Sequence, residues 1–291
     1  MPYRPSSPYA PRRRPRLTRR GRRAVLAGAL LALAVATAVP LLLLLPRDEP
    51  TTPPVPPAPP TLLVPEGWRS TQVYEAVDRA LALPDGTARK AATAPGAALG
   101  LPREAAGNPE GYLFPATYPL PEGTTAESLL RYMVATAGRR LGTPATAEAA
   151  RAQNLTAHQA LIVASIVQAE ADTPEDMARV ARVVHNRLAR DMPLQMDSTL
   201  HYALGRSTVD TTVEDTRDTS PYNTYAHKGL PPAPIGNPGE QAMAAALRPP
   251  AGDWLYFVTV APGDTRFTAD YATHQENVAA FNERRREQDG D

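Results

Sequence analysis

The chain of 291 residues contains no cysteine. That excludes disulfides, zinc–thiolate and iron–sulfur sites, and a cysteine nucleophile. Aromatic residues make up only 6%, too few for a large aromatic binding platform. No Walker loop, GxGxxG or GxSxG is present, so phosphate-loop, dinucleotide and serine-hydrolase chemistry lack their usual carriers. The five histidines show no HExxH or other paired spacing, so neither a metal nor a cofactor is expected. Net charge is nearly absent, at +1, but it is unevenly spread. Residues 1–23 carry nine arginines and no acid, which leaves about −8 on the remainder. A body of that sign argues against a nucleic-acid partner.

After the basic head comes an uncharged run of 22 residues, Ala24–Leu45. As a helix it would rise about 33 Å, enough to cross a hydrocarbon core of about 30 Å. Pro40 is tolerable inside a membrane helix. The arginines before it and Asp48 and Glu49 after it orient the N-terminus to the cytoplasm and the body outside. A cleaved signal peptide is the competing reading, with Arg19-Arg20 as a twin-arginine pair and Ala34, Ala36 and Ala38 as the small-residue pattern. Leu41–Leu45 carries the apolar run past those alanines and favours a retained anchor. Residues 47–60 hold seven prolines in fourteen, a polyproline II spacer that keeps the body within about 40 Å of the membrane.

The body begins at Thr61. Leu62–Val64 reads as a short strand, and Ser70 or Thr71 as the cap of a helix to about Leu83. Residues 84–109 read as loop with one short helix. Thr124 and Glu127 have capping-box spacing for a helix to about Leu141. Thr156 opens another to about Asp172, and Thr173-Pro174-Glu175-Asp176 starts a third that reaches about Arg190. Asn237-Pro238 precedes a helix to about Leu247. Trp254–Val260 is the clearest strand, pairing with Arg266–Thr268, and a last helix covers about Tyr271–Glu287. The expected class is helix-rich α+β with a small sheet, behind a single N-terminal transmembrane helix. The expected divisions are a cytoplasmic head at 1–23, the membrane helix at 24–46, the linker at 47–60, a small subdomain at 61–123 and the main region at 124–291.

In the helix from Thr156, Ile162, Val163, Ile166 and Val167 form an apolar stripe, and Glu170 falls on it, whereas Gln168 points roughly 160° away. An acid on an apolar stripe is costly unless paired or protonated. Partial burial raises its pKa, as a general acid requires; a structural salt bridge is the alternative. Downstream, Asp197 and Ser198 suit either a helix cap or a substrate contact. Ser220–Gly239 holds five prolines and three glycines, a shaped loop rather than a linker. Its Tyr222, Asn223 and Thr224 offer faces and hydrogen-bond groups for sugars or peptides, and a structural Ω-loop is the alternative.

Several stretches together carry a family resemblance. They are Val64–Gly67, Gly111–Tyr118 (GYLFPATY), Ala164–Glu170 (ASIVQAE), His185–Leu188, Leu194–Thr199 (LQMDST), Tyr222–Pro238 and Leu255–Val258. In this order, over about residues 61–282, the chain resembles the endolytic murein transglycosylases of the MltG (YceG-like) family. The resemblance implies a lytic-transglycosylase-like catalytic region at 124–291. It implies cleavage of the MurNAc–GlcNAc β-1,4 bond of nascent peptidoglycan without water, leaving 1,6-anhydroMurNAc ends and terminating strand elongation. It implies peptidoglycan strands, the membrane and cell-wall synthesis proteins as partners, and no nucleic acid. The family's catalytic glutamate is the second acid of Ala-Ser-Ile-Val-Glu-x-Glu, which falls on Glu170. Gln195, Asp197, Tyr222, Asn223 and Thr224 become candidate substrate or orienting groups. Two departures stand out: Gln168 replaces the first acid of that pattern, and residues 47–60 are too few for the LysM-like module common in the family. A non-catalytic wall-binding scaffold, or a hydrolytic muramidase with Asp197 as second carboxylate, would place the same residues differently.

Overall fold

The computed structural model describes residues 18–43, 59–94, 98–206 and 211–289. The chain divides into two units, Met1–Pro57 and Ala58–Asp291. In the first, α1 runs Arg19–Leu43, through Pro40. Leu26, Leu30, Leu31, Leu33 and Val35 on it are exposed. Among the described residues, no helix is long and apolar enough to cross a membrane. The expected span to Leu45 runs past Leu43 into residues outside the described set, as do residues 1–17 of the basic head and most of the proline-rich linker.

The second unit is helix-rich α+β. β1 (Thr61–Val64) pairs antiparallel with β2 (Ala116–Pro119), Leu62 opposite Tyr118 and Val64 opposite Ala116. α2 (Ser70–Ala80) packs on this ribbon, α4 (Ala126–Arg140) meets it through Tyr132 against Tyr118, and α3 (Thr87–Thr93) lies against both helices. Val64, Val73, Val77, Leu113, Tyr118, Leu130 and Met133 fill the space between them. The cap of α4 sits one residue later than its Thr124–Glu127 spacing suggests. Thr125 and Ser128 exchange the reciprocal bonds, and Glu127 pairs instead with Arg131 one turn on. A capping box needs only a hydroxyl acceptor and a polar partner three residues later, so Ser128 serves as well as an acid.

A second apolar core surrounds α6 (Ala157–Glu170), with α5 (Pro144–Ala152), α7 (Pro174–Ala189), α8 (Asp197–Ala203) and α9 (Glu240–Leu247) around it. α5 has no counterpart in the sequence reading. Its small, alanine-rich face buries only Ala150, leaving little periodicity to detect. Thr156 and Thr173 cap α6 and α7 as their sequences imply. Every residue from Ala160 to Val167 is buried, so α6 is apolar around its whole circumference rather than along one stripe. A helix of that kind is the centre of a core. α9 supplies Ala242, Ala245 and Ala246 to it, small side chains that let two helices approach closely. β3 (Tyr256–Ala261) and β4 (Asp264–Thr268) form a hairpin, Phe257 opposite Phe267, followed by α10 (Tyr271–Asp289).

The proline-rich loop joins the two cores. Asn237 is fully buried. Its Nδ2 donates to the Trp68 carbonyl at 2.8 Å, its Oδ1 accepts from Leu113 N at 2.8 Å, and its own backbone exchanges bonds with Gly67 and Trp68. Backbones meet closely here. A Cβ on Gly236 would lie 2.8 Å from the Gly67 carbonyl oxygen, and one on Gly111, at φ +86°, would strike Pro234 at 2.6 Å. Glycine is required at both places because only it leaves this space empty, and Gly111 also needs the left-handed region.

Candidate active site

Glu170 is the last residue of α6. Ala171 is extended, at φ −147° and ψ 142°, because Thr173-Pro174 already begins α7. The polar face absent from the helix middle opens only in this last turn. Gln168 is half-buried, Ala169 exposed and Glu170 half-buried. The helix end, more than the stripe, therefore distinguishes Glu170. Its side chain turns toward α8. The Ser198 hydroxyl donates to Glu170 Oε1 at 2.6 Å, and Ser198 N donates to the same oxygen at 3.3 Å.

Burial pushes the Glu170 carboxyl up from its ordinary range. The two Ser198 bonds oppose this, and the neighbouring Asp197 charge adds to the rise. A carboxylate at a helix C-terminus is also disfavoured by the aligned peptide dipoles. Among the described residues, no cation figures in its titration. The group is thus a carboxyl biased toward holding its proton, with one oxygen fixed by two donors.

Neither Asp197 nor Ser198 caps α8 through its side chain; the cap is Met196. Asp197 Oδ1 accepts from Tyr225 Oη at 2.5 Å, and burial together with that carboxylate pushes the Tyr225 phenol up. Gln195 is exposed at φ +50°, its Oε1 accepting from Arg187 Nη1 at 3.1 Å. Arg187 is buried, and its guanidinium also holds the carbonyls of Leu255, Pro193 and Leu194. The His185–Leu188 stretch is accordingly framework: His185 Nε2 lies 2.8 Å from the Ala246 carbonyl, and Asn186 donates to Trp254.

Two expected substrate groups are not at the surface. Asn223 is 0% exposed and Thr224 2%. Asn223 Nδ2 donates to the carbonyls of Thr216 and Asp218, and its Oδ1 accepts from Tyr225 N. Thr224 Oγ1 accepts from Met196 N and lies 2.9 Å from Thr199 Oγ1. A segment without regular structure must satisfy its backbone groups; Asn223 does so for its own loop, and Thr224 ties that loop to the start of α8. Tyr222 is half-buried, its ring 4.9 Å from that of Tyr202. Gln168, expected to point away, does leave Glu170, but not into solvent. Its Oε1 accepts from Gly239 N at 2.9 Å.

The sequence reading missed a buried acid near the proline-rich loop. Glu110 is 4% exposed. Oε1 accepts from Ser70 N at 2.9 Å and faces Asn237 Nδ2 at 3.4 Å, and Oε2 accepts from Tyr202 Oη at 3.1 Å. It thereby serves the N-terminus of α2, where Ser70 or Thr71 was expected to act. Burial pushes its carboxyl up to about 6, against the bonds from Ser70 and Tyr202 and the nearby Arg69 charge. In the sequence it reads as an acid in a turn before Gly111, and nothing local sets it apart. A cavity of about 390 Å³ lies at the other end of α6, lined by Tyr112, Val134, Leu141, His158, Leu161 and Met243 among others; Glu170 does not line it.

The model of the YceG-like family matches residues 44–280. The chain belongs to that family. A YceG-like protein of Listeria monocytogenes, known from a crystal structure, superposes with a TM-score of 0.68 at 32% identity, over 75% of this chain and 76% of that one. An endolytic murein transglycosylase of Bacillus subtilis (strain 168) is 37% identical over 166 residues, 57% of this chain and 46% of that protein. One from Streptococcus pneumoniae serotype 2 is 38% identical over 176 residues, 58% of this chain and 32% of that protein. This YceG-like chain spans less than half the length of the curated relatives it matches.

Proposed function

We propose that the protein is an endolytic murein transglycosylase with Glu170 as its only proton-transfer group. The observation that carries this is Glu170 itself: a buried-edge carboxyl with a raised pKa, no cation partner among the described residues, and one oxygen fixed by Ser198. The protonated acid gives its proton to the glycosidic oxygen as the bond to C1 of MurNAc breaks and an oxocarbenium-like centre forms. The resulting carboxylate, stabilised by the Ser198 hydroxyl and N–H, takes the proton from the C6 hydroxyl. O6 then closes on C1 of the same sugar. The nucleophile is intramolecular, so no second carboxylate is needed to activate water. Asp197 neighbours the acid, Gln195 and Tyr222 are further candidate substrate contacts, and Asn223 and Thr224 hold the surrounding backbone. The relatives named endolytic murein transglycosylases favour the same reading.

The test is digestion of purified glycan strands by the full-length protein in detergent, with mass analysis of the ends. Anhydro ends, one water lighter than hydrolysed ends, are expected. Hydrolysed ends would make Asp197 the second carboxylate of a muramidase, and intact strands would leave a binding scaffold.

The proposal extends to location. The uncharged run Ala24–Leu45 behind nine arginines supports a retained single-pass anchor with the body outside the cytoplasm, beside cell-wall synthesis proteins. A reporter fused after Asp291 should be active only outside, and a soluble form beginning near Val39 in cell fractions would refute the anchor.

A further inference from the structure

α8 is held from both ends of one face. Ser198 and Tyr202 are four residues apart, hence neighbours on a helix surface, about 6 Å along its axis. Ser198 gives its hydroxyl proton to Glu170, and Tyr202 gives its own to Glu110. Glu110 is itself anchored from elsewhere in the fold, by the first N–H of α2 and by Asn237 of the proline-rich loop. The ring of Tyr202 is clamped as well, 4.9 Å from that of Tyr222 and 5.2 Å below the Arg69 guanidinium. Arg69 in turn donates to the Arg206 carbonyl just past the helix. A short helix with only seven residues has little stability of its own. Its orientation therefore depends on such outside bonds.

Structural needs alone do not explain an acid at position 110. An amide or hydroxyl would accept from Ser70 N without the cost of a buried carboxyl. What a carboxylate adds is a second strong acceptor, turned toward Tyr202. We infer that Glu110 is a positioning residue for the transglycosylase reaction: through Tyr202 it fixes the rotation of α8, and α8 sets the Ser198 donors that aim Glu170. This rests on Glu170 being the proton-transfer group. Glu110 touches no substrate in this scheme.

The clean perturbation is Tyr202→Phe, which deletes the donor and keeps the ring against Tyr222 and Arg69. Loosening α8 weakens the Ser198 bonds that hold the Glu170 carboxylate. The groups facing Glu170 are Ser198 and Asp197 on α8 and Tyr225 on the loop. Those around Glu110 are Arg69, Ser70, Tyr74, Tyr202 and Tyr222. Two readouts follow. In glycan digestion below the melt, kcat falls several-fold with KM unchanged and the melting temperature lowered by only a few degrees, a smaller loss than the about 10²-fold of a 1 Å misplacement. In NMR titration of the Glu170 side-chain carbon, without substrate, the midpoint moves to higher pH. Glu110→Ala does the same, and the double variant is no worse than the worse single one, because both delete one bond. If Glu110→Ala fails to fold, Tyr202→Phe decides alone.

Unchanged kcat in Tyr202→Phe, or a fall in kcat with the Glu170 titration unmoved, overturns the inference, as do additive losses in the double variant. The titration separates this from the functional reading. A parent protein that cleaves nothing refutes the reaction, whereas the shift in Glu170 still reports whether Glu110 and Tyr202 govern it.

Discussion

Glu170→Gln tests the proposed reaction most directly. The amide is nearly isosteric, and its Oε1 can keep both Ser198 bonds, now at 2.6 and 3.3 Å. The NH₂ group then occupies the place of the other oxygen. It can neither protonate the leaving oxygen nor take a proton from the C6 hydroxyl. General acid–base catalysis contributes about 10²–10⁴-fold. One group serves both steps here, so the loss should reach the upper end, about 5 kcal/mol of transition-state stabilisation. Stability should respond in the opposite direction. The raised pKa means that ionised Glu170 is disfavoured in the fold. Its contribution is fully present below the unfolded pKa and is lost as pH rises through the folded one. A neutral amide escapes that loss, so at neutral pH the variant should melt at or slightly above the parent. A carboxylate in a buried salt bridge would behave otherwise, since removing one partner costs about 3–5 kcal/mol. The assay pairs anhydro-muropeptide yield with thermal melting. Full cleavage by the variant, or a melting point far below the parent with activity lost through unfolding, would refute the catalytic assignment.

Other outcomes follow from the same geometry. Ser198→Ala should lower kcat by about tenfold through looser aim of the acid, and the alkaline limb of its pH–rate profile should move to higher pH, because the lost bond favours the carboxylate; a limb that moves down would contradict this. Gln168→Ala removes one bond to Gly239 N, which costs about 1 kcal/mol or about 2–4 °C in melting temperature, while kcat measured below the melt should hold; a kcat loss matching that of Glu170→Gln would place Gln168 in the chemistry. Glu110, pushed up to about 6 from an ordinary 4.5, costs stability as pH rises from about 4 through 6, by about 2 kcal/mol at 1.36 kcal/mol per pH unit. Urea titrations of Glu110→Gln against the parent at pH 4 and pH 7 should show the variant gaining by that amount, and a constant difference would be evidence against the raised pKa.

Local signals identified much of the fold. Thr156 and Thr173 each sit before a helix with the acceptor that its free N–H groups require, and Pro174 has the φ that a first turn needs. The Trp254–Val260 run is rich in aromatic and β-branched residues with no prolines or glycines, and a strand forms there from Tyr256. The family resemblance likewise rested on contiguous stretches, and Glu170 lay in one of them. Where local chemistry was ambiguous, the reading slipped. Thr124 and Thr125 are equivalent hydroxyls one residue apart, and only the approach of α4 to the first core selected the second.

The sequence by itself determined most of the elements, though not α5, together with the acid at the end of α6 and the stretches that mark its family, because caps, periodicity and short motifs act over a few residues. Tertiary structure decided which polar side chains face a ligand and which hold the frame. Asn223 and Thr224 have the same composition cues as a binding group, yet Asn223 is consumed by nearby backbone groups and Thr224 by Met196 N and the Thr199 hydroxyl at the start of α8. Glu110 and Tyr202 are 92 residues apart, and Ser198 lies 28 residues from Glu170. A hydrogen bond depends on separation in space over about 3 Å, and sequence spacing carries no such distance until α8 is packed between the two cores.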